Sequence, residues 1–263
     1  FMTVFDPLVS VIIPSFNHER FIQDSILSAL NQTYKNREVI VIDDGSTDSS
    51  QDIILELQAL HGFKAYFQSN KGICSALNYA INEISTGSYI SILASDDLWA
   101  PEKLKEQLDK IKTNRFSQFC YSKAQKLNEA NIKQNAIFPR VAYEGKMLNR
   151  VFLRQHVPAG TMFFSRSLFK KVGGFDSSLK EEDWDFVIRC AAQTEFTVVR
   201  KPLLYYRQHG ANTMIAKNRK EIFNEKFKIL KKNKHYVNGF IYYLALSLHF
   251  INDRILGFLY NKK

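Results

Sequence analysis

Two adjacent carboxylates, Asp96 and Asp97, follow the apolar run Tyr89-Ile90-Ser91-Ile92-Leu93-Ala94 and precede Leu98-Trp99. Neighbouring carboxylates repel each other at neutral pH unless a cation or hydrogen-bond donors hold them. Mg²⁺ and Mn²⁺ favour such oxygens and commonly complete their shell with substrate phosphates. In isolation the pair reads first as a solvated turn capping the next helix, because Asp is favoured at both positions. Two more polar clusters also close apolar runs: Pro14-Ser15-Phe16-Asn17 and Asp43-Asp44-Gly45-Ser46. Farther on, Glu181-Glu182-Asp183-Trp184-Asp185 opens a helical pattern, and for any one of its acids a plain N-terminal helix carboxylate is an equal reading.

The elements that must position these groups alternate. Val9-Ser10-Val11-Ile12-Ile13, Glu38-Val39-Ile40-Val41-Ile42, Lys64-Ala65-Tyr66-Phe67 and the run ending at Asp96 predict strands. Continuous apolar runs of this length suit strands buried on both faces of a parallel sheet. Between them, helical spacing predicts helices over about 21–32 and 73–84, and another that carries Ile53, Ile54, Leu57 and Leu60, with Thr47-Asp48-Ser49-Ser50 offering N-cap residues. Strand–helix alternation through residue 112 implies βαβ units, whose ligands sit at the carboxyl ends of the strands. All three polar clusters fall on that edge, and their convergence favours one ligand pocket over three separate turns. Asp43 reads as a turn residue, and Trp99 and Trp184 as packing residues.

After residue 113 the alternation fades. A strand is expected over 116–121, a polar turn over 128–135, a strand at Gly160 to Phe164, and helices leading to Gly173-Gly174 and from Glu181. There is no Gly-x-x-x-x-Gly-Lys loop and no Gly-x-Gly-x-x-Gly after the first strand, which argues against a P-loop enzyme and a dinucleotide dehydrogenase.

The 263 residues are 45% hydrophobic and 24% charged, an ordinary globular composition. The net charge of +10 is concentrated in one place: Lys and Arg outnumber Asp and Glu by 14 to 3 over 200–263, and the remainder is nearly neutral. The three cysteines lack metal-ligand spacing and fit reduced core thiols. No apolar stretch is long enough to span a membrane, and Phe1 to Asp6 lacks the features of a signal peptide. A cytoplasmic protein is expected, at most peripheral on the inner face of the cytoplasmic membrane.

The strings VSVIIPSFNHERFIQDSILSALNQTY, EVIVIDDGSTDSS, NKGICSALNYAI and YISILASDDLWAPEKL, followed in order by KKVGGFD, EEDWDFVIRCA and LLYYRQH, resemble the family 2 inverting glycosyltransferases. The resemblance covers roughly residues 8 to 210. It implies an α/β architecture of the GT-A type, with a mainly parallel central sheet flanked by helices. A nucleotide-sugar half over about 8–112 and an acceptor half over about 113–210 would make up one domain (1–210), with a helical C-terminal extension over 211–263.

The implied reaction is inverting transfer of a hexose from a nucleotide diphosphate sugar, a UDP-sugar being the expected donor. The acceptor would be a saccharide or lipid-linked saccharide in surface polysaccharide biosynthesis, and Mn²⁺ or Mg²⁺ the cofactor. By the same resemblance, Pro14, Ser15, Phe16 and Asn17 fall where such enzymes contact the base and ribose, and Asp44 where a hydrogen bond from the base is accepted. Asn70 and Gly72 match the loop that closes over the nucleotide, and Asp96 a residue near the ribose or sugar. Asp97 matches the metal ligand, with His209 near the metal or diphosphate, and Asp183 matches the general base. Two alternatives stand beside this reading. One is a non-catalytic nucleotide-sugar-binding or scaffolding subunit. The other is a nucleotidyltransferase, which usually carries a glycine- and lysine/arginine-rich loop where this chain has Pro14-Ser15-Phe16-Asn17.

The basic tail predicts an amphipathic helix over 215–235, with Phe223, Phe227 and Leu230 on one stripe, and an apolar segment over 240–260 broken by Asn252-Asp253-Arg254. It could pack on the catalytic domain, pack on a homodimer partner, or dock on an anionic membrane surface. No nucleic-acid module accompanies the charge, so nucleic acid is not an expected partner.

Overall fold

The computed structural model describes residues 6–210 and 219–252. Strands β1 (Val9–Ser15), β2 (Arg37–Asp43), β3 (Lys64–Phe67) and β4 (Tyr89–Ile92) pair in parallel in the order β3-β2-β1-β4. All seven residues of β1 are buried, which its unbroken apolar run requires. Its alternate residues feed two cores. Val9, Val11 and Ile13 meet α1 (Ile22–Leu30), α2 (Ser50–His61) and α4 (Lys103–Lys112), whereas Ile12 meets α3 (Ile73–Tyr79). α3 runs on through a π-helical turn at Ala80–Ile84, so the helix expected to end at 84 is present with a wider last turn.

Beyond β4 the sheet becomes mixed. β5 (Leu98–Trp99), β6 (Ser117–Leu127), β7 (Lys133–Phe138), β8 (Phe163–Ser165) and β9 (Glu195–Arg207) extend it in the order β4-β8-β6-β9-β5, with β7 on β6. β8 is antiparallel to both β4 and β6, β6 and β9 run parallel, and β5 and β7 are antiparallel to their partners. The mainly parallel character expected of the sheet holds in the N-terminal half and in the β6–β9 pair, and β5, β7 and β8 supply the antiparallel contacts. The polar turn expected over 128–135 is present at Asn128 to Ile132, and β7 takes its last three residues.

Helices α5 (Leu148–Leu153), α6 (Arg166–Val172) and α7 (Glu182–Ala191) cover the same face as α3. α8 (Arg219–Asn233) and α9 (Gly239–Phe250) pack onto them, contributing Ile229, Leu230 and Ala245 to the same core. The rings of Trp184 and His249 lie 5.1 Å apart, and the Trp184 indole N–H donates to the Val151 carbonyl. Of the stripe predicted for α8, Leu230 is buried, Phe223 is half-buried and Phe227 is 39% exposed, while Ile229 beside Leu230 is buried too. Residues 253–260 of the expected apolar segment lie outside the described residues. No helix among the described residues is long and apolar enough to cross a membrane.

Candidate active site

The first two βα turns are laced together. Asn17 takes a left-handed φ of 53°, a conformation Asn tolerates better than most residues. Its main-chain N–H donates to Ser46 Oγ at 2.9 Å, and its Oδ1 accepts from the Thr47 amide at 2.8 Å. The His18 amide donates to Ser50 Oγ at 3.0 Å and the Glu19 amide to Asp48 Oδ2 at 3.0 Å. The polar side chains expected to cap α2 are thus used largely across the turn, and Ser49 makes no side-chain cap. Phe16 stands 44% exposed beside this lacing. Asp43 accepts from Ser46 N, Ser46 Oγ and Gln51 Nε2, which makes it a turn residue.

Asp44 holds the loop expected to close over a nucleotide. Its Oδ1 accepts from Gln68 Nε2 at 2.7 Å and the Lys71 amide at 2.9 Å, and its Oδ2 accepts from the Gly72 amide at 2.8 Å. Gly45 permits this approach. It sits at φ 79°, and a Cβ there would come 2.7 Å from the Asn70 nitrogen.

Asp96 and Asp97 point to different partners. Asp97 is buried, and its Oδ1 accepts from the Arg207 amide at 2.8 Å. Burial and the neighbouring Asp96 charge push the Asp97 carboxyl well above the usual carboxylate range, against the opposing pull of Arg207. Asp96 Oδ2 instead lies 3.0 Å from His209 Nε2. The resemblance implies Asp97 on a metal and Asp96 on the ribose or sugar. The geometry turns Asp97 inward because the start of β5 pairs with β9 at Leu98–Tyr205, placing Oδ1 under the Arg207 amide. Asp96, His209 and His18 each offer one ligand atom, all within 4.8 Å of one another. His18 Nδ1 is 2.7 Å from Ser95 Oγ. Burial lowers the pKa of His18, opposed by the charge of Asp96, so the ring is biased toward the neutral, ligating form.

A cleft of about 940 Å³ opens at the carboxyl edge of the parallel strands. Pro14, Ser15, Phe16, Asn17, Asp44, Asn70, Gly72, Asp96 and Asp97 all line it, so nine of the eleven expected site residues share one cavity. His209 is 6% exposed and reaches this wall through Asp96. Asp183 is not among the lining residues. It stands in the first turn of α7, where Gln155 Nε2 donates to its Oδ2 at 3.4 Å. Gln155 lines an adjoining depression of about 600 Å³, which shares Phe138 and Pro158 with the main cleft.

Three side chains at this site were given no role by sequence reasoning. His18 lies inside the PSFNHERF string, where its place directly after Asn17 is the only signal. Ser95 orients its ring. Arg207 is 1% exposed; its Nε donates to the Asp96 carbonyl at 2.7 Å and its Nη1 to Asn131 Oδ1 at 2.5 Å. An arginine ending a strand two residues before His209 is a weak sign of such a pin.

The profile described as glycosyl transferase family 2 matches residues 10–173. An uncharacterized glycosyltransferase of Rickettsia typhi is 34% identical over 216 residues, covering 80% of this chain and 66% of that protein. Chondroitin synthase of Escherichia coli is 32% identical over 214 residues, 80% of this chain but 30% of its own length. Among solved structures, residues 1–349 of Staphylococcus aureus TarS in complex with UDP-GlcNAc align with a TM-score of 0.75 at 23% identity, over 95% of this chain and 74% of that one. A Pyrobaculum calidifontis mannosyltransferase in complex with GDP-Man and Mn²⁺ aligns with a TM-score of 0.69 at 18% identity, over 95% and 72%. The mixed sheet with its flanking helices is the GT-A fold. The chain is an enzyme that transfers sugar from a nucleotide-sugar donor, and it belongs to glycosyl transferase family 2.

Proposed function

We propose that this chain transfers a hexose from a UDP-sugar, with inversion and with the help of a divalent cation, to a saccharide or lipid-linked saccharide of a surface polysaccharide. The observation that carries the reading is the shared cleft. The turn of Pro14 to Asn17, the Asp44-held loop with Asn70 and Gly72, and the Asp96 wall surround one volume large enough for a nucleotide sugar. Phe16 offers an exposed aromatic face for a base, and the laced Asn17–Thr47 turn holds that face in place.

Asp96 Oδ2 and His209 Nε2, 3.0 Å apart, are donors of the type that Mn²⁺ accepts and would hold the cation. A cation there supplies charge neutralisation for the diphosphate leaving group. Asp97 lies behind this pair, and its bond to the Arg207 amide keeps the carboxylate turn in register. Asp183 takes the acceptor hydroxyl proton in this reading. Its contact with Gln155 places it beside the depression next to the cleft, where an acceptor would approach the donor sugar from outside. A base on the face opposite the leaving group gives inversion.

The exposed face of α9 supports a membrane-surface partner for the lipid-linked acceptor. Phe240 and Tyr243 are 74% and 68% exposed, and Phe250, 47% exposed, continues that side. Exposed aromatic groups on a helix packed against the lysine-rich α8 suit an anionic interface. Co-sedimentation with anionic vesicles should fall for the double change Phe240→Ser, Tyr243→Ser, and binding indifferent to lipid charge would remove this partner.

The decisive experiment is a donor panel of UDP-, GDP- and TDP-sugars with Mn²⁺ and Mg²⁺, followed by NMR of the product anomer. An α-linked donor should yield a β-linked product and free nucleoside diphosphate. Asp183→Asn should lower turnover by about 10²–10⁴-fold with donor binding retained. Retention of the donor's anomeric configuration, or near-full turnover in Asp183→Asn, would overturn the assignment. Release of pyrophosphate would point to nucleotidyl transfer instead.

A further inference from the structure

We propose that His18 is a third protein ligand of the cation, completing a two-histidine, one-carboxylate site with Asp96 and His209. The inference rests on the metal-assisted reading above and adds to it a ligand from the nucleotide-binding turn. The three donors come from three separate places in the chain: the turn after β1, the turn after β4, and the residues after β9. Their ligand atoms nonetheless lie within 4.8 Å of one another. With metal–ligand bonds of about 2.1 Å, adjacent ligands of one ion are about 3.0 Å apart and opposite ligands about 4.2 Å. The Asp96–His209 distance of 3.0 Å already has the adjacent spacing. The widest separation in the set, 4.8 Å at most, lies about 0.6 Å outside the opposite-ligand spacing, so His18 has to move toward its partners as the ion binds.

The surroundings of His18 are those of a ligating imidazole. Such histidines usually bond a protein group through the second ring nitrogen, which fixes tautomer and ring orientation. Here Ser95 Oγ sits 2.7 Å from Nδ1, leaving Nε2 for the ion. The main chain of His18 is tied to Ser50, and its ring packs edge-on against His209 at 5.8 Å. Two chemical consequences follow. Imidazole ligands favour Mn²⁺, Co²⁺ and Zn²⁺ over Mg²⁺. A three-ligand protein site also binds its ion before any nucleotide arrives, whereas Mg²⁺ usually depends on substrate phosphates. Because His18 follows Phe16 and Asn17 directly, ion binding would also stiffen the turn that receives the base.

The test is Mn²⁺ titration of the full chain without nucleotide, read by EPR, with pulsed EPR counting the imidazole nitrogens coupled to the bound ion. The wild type should bind Mn²⁺ and show two imidazole couplings. His18→Gln should show one, with affinity weakened about tenfold or more, while His209→Gln should lose the other. One coupling in the wild type, or a His18→Gln affinity within twofold of the wild type, would overturn the proposal. If His18→Gln does not fold, judged by its thermal transition, the wild-type coupling count alone decides. Absence of Mn²⁺ binding even with added UDP would instead refute the metal-assisted reading, and this ligand with it.

Discussion

Arg207 binds Asp97 through its main-chain amide, at 2.8 Å from Oδ1, rather than through its guanidinium. The guanidinium is used elsewhere: Nε donates to the Asp96 carbonyl, Nη1 to Asn131 Oδ1, and the group lies 4.8 Å over the Phe21 ring. One buried residue therefore sets the position of both aspartates and of the turn at 128–132. Removing one partner from a buried charged network costs about 3–5 kcal/mol. Arg207→Ala should lose about that much in urea unfolding. It should also bring turnover down with stability, because Asp96 loses its brace. The charge of Arg207 also holds the Asp97 pKa down, so its removal should leave that carboxyl more readily protonated. Arg207→Lys keeps a charge without the planar fork and should fall between the two.

The βαβ half was legible in the sequence because its signals are local. Runs such as Val9 to Ile13 state their own burial, and the polar residues that end them must sit at one sheet edge. The convergence of Asp44, Phe16 and Asp96 on one cleft was legible for that reason. Contacts between distant segments were not legible. That β8 inserts antiparallel between β4 and β6, or that His18 meets His209, depends on pairing across scores of residues that no short-range period records. The partial match of the α8 stripe has the same origin. Leu230 of the predicted stripe is buried as expected, but Phe227 is left 39% exposed and Ile229 is buried beside Leu230. The different partners of Asp96 and Asp97 follow from the β5–β9 pairing, which a two-residue strand scarcely announces.

Asp44 should act on donor binding through its loop. It accepts from the amides of Lys71 and Gly72 and from Gln68, and Asp44→Ala leaves those donors without their acceptor. At about 1 kcal/mol per hydrogen bond, loss of two or three bonds that order the loop should raise the donor KM by roughly 10–100-fold. Turnover at saturation should change less. Asp44→Asn keeps one carbonyl oxygen and should be milder. Donor titration with limited proteolysis of the 68–72 segment checks this: an unchanged KM with an intact loop would sink it.

The C-terminal helices should be needed for folding as well as for any surface they offer. Asp185 is fully buried and accepts from Arg189 Nε at 2.8 Å, Lys232 Nζ at 2.9 Å and Asn233 Nδ2 at 2.7 Å. This cluster joins α7, in whose first turn Asp183 stands, to α8. Asp185→Ala takes the carboxylate from Arg189, whereas Lys232 keeps Asp176 at 2.6 Å, and the change should cost about 3–5 kcal/mol. Truncation after residue 218 removes Ile229, Leu230 and Ala245 from the second core and should give a chain without a cooperative thermal transition. A soluble, cooperatively melting truncation would show that α8 and α9 are merely attached.

Glu38 predicts how stability responds to acid. Burial raises its pKa, but hydrogen bonds from Lys64, Ser10 and the amides of Thr86 and Gly87 outweigh that and bring it from 4.5 down to about 2. These bonds tie the start of β2 to β1 and to the turn that feeds β4. A carboxyl with a depressed folded pKa contributes stability that is complete above its unfolded value and is lost as pH falls through its folded value. The window here runs from about pH 4.5 down to about 2. The contribution should be roughly 1–2 kcal/mol, since solvent reaching the Lys64 pair reduces the full linkage value. Glu38→Gln should therefore be less stable at pH 7 by that amount. Between pH 5 and pH 2 its stability should also fall less steeply than that of the wild type. Urea midpoints at pH 7, 4 and 3 measure both effects, and parallel pH profiles for the two proteins would show that Glu38 is not the group being titrated.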